Sequence, residues 1–237
     1  MLFLIKFRSP RDNTQINWED TINQAVLETF ADHFAKGDYP TALKELEKVK
    51  GTISPGLWHF NMGTVKAKTL TLSEARYHFI EARSNGFTDQ LLTQNLELIE
   101  NELNVKSLEK PLDAQDFAIK SGLWSQNGIF TTLSLLILVF GMMILKKERK
   151  YSVLGVTLML AAIPLGLNIW VKSWDKYITL NTLEVREGPS AIFGSRGELP
   201  AGVLVITKNS GEWRRVIYPS RFRGWIKYAG LIELESK

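Results

Sequence analysis

The chain has 237 residues, a formal net charge of +4 and no cysteine. The missing thiols exclude disulfides, thiolate nucleophiles and Cys-ligated metal. The hydrophobic share of 45% is ordinary for a folded chain, but it is concentrated in two places.

The first apolar run, Met1 to Ile5, is shorter than the apolar core of an export signal, and no basic segment precedes it. Residues 20–104 read as a stack of helices. Two segments in it repeat: "GDYPTALKELEKV" (37–49) and "LTLSEARYHFIEA" (70–82). Ala42 aligns with Ala75, Leu46 with Phe79 and Val49 with Ala82, each at an offset of 33. That is close to the tetratricopeptide period of about 34. Gly63 stands twelve positions before Ala75, where paired helices of such a repeat cross closely, whereas Phe30 holds that place in the first repeat. A third helix is expected over 88–104, capped by Thr88, with Leu92, Leu96, Ile99 and Leu103 on one face. Asn61 and Lys66 are the candidate contact residues of this helical part. Residues 105–122, with one proline, read as a linker.

Beyond Lys120 come 25 residues without charge, then "KKERK" at 146–150, then 21 more without charge. About 20 apolar residues cross a bilayer core. The expectation is two transmembrane helices, 123–145 and 153–172, around a loop at 146–152. The loop basicity places it in the cytoplasm of a bacterial inner-membrane protein, with both terminal parts periplasmic. Trp124, Trp170, Trp174 and Tyr151 would mark the interfaces. Gly141, Gly155, Ala161, Ala162 and Gly166 would let the helices approach closely. In such a protein the basic excess does not indicate nucleic acid.

After Trp174 short β-rich runs take over, and five strands are expected to form a small barrel. "LEVREGPS", "LPAG", "GEWRRV" and "RGWIKYAGLIEL" occur in order and resemble the bacterial SH3 family over 178–235. Glu184 departs from the Asn common at its position in that family. The fold class is thus a multidomain membrane protein: tetratricopeptide-like helical repeats, two transmembrane helices and an SH3-like small β-barrel. The order of these parts resembles the BatE family of the aerotolerance (Bat) operons of Gram-negative bacteria. That resemblance implies a scaffold for stress-related complexes, whose partners are membrane proteins with von Willebrand A domains. Peptidoglycan and the lipid bilayer are the other ligands implied for such an envelope protein.

Trp213, Tyr218, Trp225 and Tyr228 are the candidate binding aromatics of the C-terminal part, rimmed by Arg214, Arg215, Arg221, Arg223 and Lys227. Trp213 and Trp225 read more readily as core residues that close the barrel than as contacts. His33, His59 and His78 lack metal-ligand spacing, and no nucleophile elbow or phosphate loop occurs. No catalytic residue, metal or cofactor is expected, and no enzymatic activity.

Overall fold

The structure, a computed structural model, describes residues 18–124, 129–148, 151–172 and 174–235. Five helices come first: α1 (Trp18–Ala35), α2 (Tyr39–Lys48), α3 (Pro55–Lys68), α4 (Leu72–Ser84) and α5 (Gln90–Glu102). Their starts follow from local chemistry. Asp38 accepts from Thr41 N at 3.3 Å at the head of α2, and Pro40 occupies the first turn, where its missing N–H costs nothing. Asp89, rather than Thr88, caps α5 by accepting from Leu91 N at 2.8 Å. The Asp89 carboxylate, directly before the first turn, takes the orphan amide and leaves Thr88 outside the helix.

Two cores fill the stack. Phe30, Ala42, Leu46, Val49, Trp58 and Val65 form one. Phe60, Ala75, Phe79, Leu92, Leu96 and Ile99 form the other. The close approach expected at Gly63 is present: a Cβ there would lie 2.8 Å from the Phe79 ring and 3.2 Å from the Ala75 carbonyl. Gly63→Ala should therefore destabilise the chain by about 1–3 kcal/mol, because the Phe79 ring must move in a filled core. Gly155→Ala, with nothing within 4 Å of the new methyl, is the control. It should be neutral or gain up to about 1 kcal/mol from helix propensity. Urea unfolding of both variants checks the pair.

Residues 105–122 are not a free linker. They form α6 (Val105–Leu108) and α7 (Ala114–Trp124), and Val105, Glu109, Asp116 and Ile119 in them are buried. Two long helices follow, α8 (Ile129–Glu148) and α9 (Tyr151–Lys172). They run antiparallel: Ser134 Oγ donates to the Ala161 carbonyl at 2.9 Å, and a Cβ on Gly141 would overlap the Thr157 side chain. Gly155 and Gly166, in contrast, have open space around them. The outward positions carry exposed Leu135, Phe140, Met143, Val156, Met159 and Ile163.

Among the described residues no helix is long and apolar enough to cross a membrane. That overturns the two transmembrane helices, the inner-membrane localisation and the periplasmic and cytoplasmic sides expected from the charge pattern. Residues 125–128 of the first uncharged run lie outside the described residues, and α8 as described starts at Ile129. Only about 17 uncharged residues of α8 precede Lys146, roughly 25 Å of helix against a core of about 30 Å. Trp174, expected at a membrane interface, packs instead against Ile119, Ile206 and Tyr218. Met1 to Ile5, Arg149 and Lys150 lie outside the described residues, as do the side chains of Trp124, Tyr151, Asn168 and Trp170.

The C-terminal part is one seven-stranded antiparallel sheet, not a five-strand SH3-like barrel. Its strands are β1 (Asp175–Thr179), β2 (Leu183–Arg186), β3 (Ser195–Leu199), β4 (Leu204–Ser210), β5 (Trp213–Tyr218), β6 (Gly224–Lys227) and β7 (Leu231–Glu233). The order is β3-β2-β6-β5-β4-β1-β7, with β3 and β7 at its ends. The "SRGEL" of β3, exposed except for Leu199, and the three-residue β7 show no apolar alternation. Gly211 turns β4 into β5 with φ of +67°, in the "NSGEW" hairpin. Tyr177, Val185, Leu199, Val203, Val205, Val216 and Ile226 bring six strands onto one shared core, so the sheet coils around it.

Candidate functional site

Two arrangements stand out: a buried ionic joint between the helices and the sheet, and a basic aromatic face on the sheet's outer side. The joint centres on Arg76 of α4, which is 1% exposed. Its guanidinium makes a fork with Glu109, Nη1 to Oε1 at 2.6 Å and Nη2 to Oε2 at 3.1 Å. Nη2 also donates to Glu100 of α5 at 3.0 Å, and Nη1 to the Gly202 carbonyl at 2.6 Å. Glu109 Oε1 in turn accepts from the backbone N–H of Leu204 in β4 at 2.7 Å. Its carbonyl accepts from Tyr218 at 2.7 Å and from Lys120 at 3.1 Å. Burial works against the Arg76 charge, but the Glu109 and Glu100 carboxylates outweigh it and raise its pKa.

Asp116, fully buried, extends the joint. It accepts from Ser220 N at 3.1 Å and 3.2 Å, from Ser220 Oγ at 2.6 Å and from Leu112 N at 3.2 Å. A further tie is Glu81 of α4, which accepts from Glu235 N at 2.8 Å. The Glu109 and Asp116 carboxylates thus convert a short connecting segment into a rigid splice. Sequence reading missed both, since a carboxylate in a polar stretch carries no mark of its later burial.

On the outer face, strand alternation decides which residues meet. In β5, Val216 and Tyr218 are buried while Arg215 is exposed and Trp213 half-buried. In β6, Gly224 and Ile226 are buried while Trp225 is half-buried and Lys227 exposed. Trp213 stands opposite Lys227 and Arg215 opposite Trp225, so aromatics and cations form a checkerboard. The Lys227 ammonium lies 5.9 Å from the Trp213 ring centre, within cation–π reach. On the other flank Lys208 of β4 is opposite Arg215. Neither carries an ion pair among the described residues. Like charges directly opposite on a sheet are destabilising on their own.

Of the candidate residues from sequence, Trp213 and Trp225 share this face and are not core. Tyr218 is buried in the joint; burial, then Glu109 and Asp116, push its phenol well above its ordinary range. Tyr228 is 42% exposed and turns away from the tryptophans, stacking under Arg214 at 4.6 Å and edge-on to Tyr177 at 5.9 Å. Arg221 and Arg223 sit apart, at a cleft beside β3. In the helical part, Asn61 is fully buried and both polar atoms of its side chain lack a hydrogen-bond partner. Lys66 is engaged by Glu74 at 2.6 Å. Neither is a free contact.

The structure also joins His59 of α3 and His78 of α4, nineteen residues apart in sequence, with Nδ1 atoms 3.0 Å apart. Trp58 and Tyr77 pack edge-on to the pair. Burial, then the charges of His59, Lys66 and Lys50, lower the His78 pKa to about 3. No group of three or more metal-capable side chains occurs among the described residues.

No family model, no curated protein and no solved structure matches the chain. The tetratricopeptide and SH3 resemblances therefore gain no support from known proteins.

Proposed function

We propose that this protein is a non-catalytic adaptor that recruits partner proteins to the outer face of β4, β5 and β6. The observation that carries the reading is the register that sets Lys208 against Arg215 with Trp213 and Trp225 beside them. Cations held together without acids are stabilised by an incoming acidic surface, and the indole rings add area at low entropic cost. The buried joint supports the scaffold side of the proposal, because it ties that face to the helical region. The likeness to the BatE family points to proteins with von Willebrand A domains as the partner class.

The test mixes the full chain with von Willebrand A domain proteins encoded beside it and follows complex formation by gel filtration and calorimetry. A stoichiometric complex is expected, weakened at least roughly tenfold by Arg215→Glu, as for reversal of a charge at an interface. Elution of the chain alone from every mixture would sink the proposal. So would cosedimentation with purified sacculi in place of protein binding, which would make peptidoglycan the ligand.

A further inference from the structure

A second site lies at the other end of the sheet, independent of the adaptor reading. The end strand β3 and the 3-10 turn Ser220–Phe222 enclose an open cleft of about 500 Å³. Arg196, Arg221 and Arg223 line it, together with Glu198, Phe222 and Val185. Three guanidinium groups thus face a single carboxylate. Arg196 is held there by donating to the Arg223 carbonyl at 3.2 Å. Arg223 is steadied on its outer side by Asp113 at 3.7 Å and Gln115 at 3.5 Å. Arg221 has no ion pair or side-chain hydrogen bond among the described residues. Phe222 and Val185 supply an apolar wall.

The volume is that of a small-molecule site, within the usual range of about 300–1,000 Å³. Guanidinium forks match carboxylate and phosphate oxygens two at a time, and three of them beside one carboxylate leave an excess of positive charge that an anion offsets. Glu198 makes no ion pair with any of the three arginines among the described residues. We propose that this cleft binds a small anion with two or more negative charges, carried on phosphate or carboxylate groups. Arg221 and Arg196 grip the charge, and Arg223 positions Arg196 through its carbonyl.

The test titrates the full chain with inorganic pyrophosphate and, separately, with citrate, by calorimetry at constant ionic strength in chloride. Saturable binding tighter than about 1 mM is expected for at least one of them, and which one binds distinguishes phosphate from carboxylate chemistry. Arg221→Gln should weaken it at least roughly tenfold, the cost of a lost charged hydrogen bond. Arg221 is exposed, so this variant should fold as the parent does. Two results would overturn the proposal: no saturable binding of either anion, or equal binding by the parent and by Arg196→Gln/Arg221→Gln.

Discussion

Arg76→Met should cost the full chain about 3–5 kcal/mol and break its unfolding into separate steps. The arginine is the cation that the hydrogen bonds place on the Glu109 and Glu100 carboxylates. Methionine fills much the same volume but leaves two buried carboxylates uncompensated and the Gly202 carbonyl without its donor. An excellent buried fork is weak evidence of net stability, but removal of one partner exposes the entire desolvation cost of the other. The consequence is also architectural. Helices and sheet meet through Arg76, Glu109 and Asp116, so loss of the fork should let the sheet unfold apart from the helices. Tryptophan fluorescence and far-UV dichroism, followed together through a urea titration, read both effects. The parent should give coincident curves and the variant displaced ones. Coincident curves in Arg76→Met, with less than about 1 kcal/mol lost, would show that the joint does not hold the two parts together.

Acid should act through His78, a half-buried histidine of α4. Its native pKa is lowered to about 3 from 6.5, so the folded chain refuses a proton that the unfolded chain accepts. The stability this neutral histidine confers is therefore complete above pH 6.5 and declines as pH falls from 6.5 toward 3. The slope approaches about 1.4 kcal/mol per pH unit, so roughly 2–3 kcal/mol is gone by about pH 4.5. The ring cannot escape by charging in place, since His59 is 3.0 Å away and Lys66 and Lys50 add like charge. His78→Gln removes the titration while keeping a polar side chain. Its stability relative to the parent should improve steadily from pH 7 to pH 4.5. A constant difference across that range would mean that His78 takes up protons freely in the folded state.

Much of the helical part was legible because its signals are local. Gly63 facing Ala75, the apolar face of Leu92, Leu96 and Ile99, and the turn at Gly211 all follow from spacing along a few turns or one hairpin. The two tryptophans of the sheet were legible as candidates, but only the cross-strand register separated them from Tyr218 and Tyr228, which lie inside the joint and on another side. The stretch 105–122 misled for the same reason. Its proline and charges are those of a linker, and burial of Glu109 and Asp116 depends on Arg76 and Ser220, 33 and 104 residues away.

The uncharged runs show where composition stops being informative. Counting residues between charges measures a length of chain, not a length of helix, and among the described residues no helix is long and apolar enough to cross a membrane. By itself the sequence determined the absence of thiol chemistry, the helical face patterns, the change to strands after Trp174 and the pool of aromatic and basic side chains near the C-terminus. Tertiary structure alone decided which carboxylates are buried against Arg76, which histidines touch, and which arginines gather at β3. Periodicity is a property of neighbours in the chain, whereas the energy of a buried charge is set by whatever distant group the fold brings within about 3 Å of it.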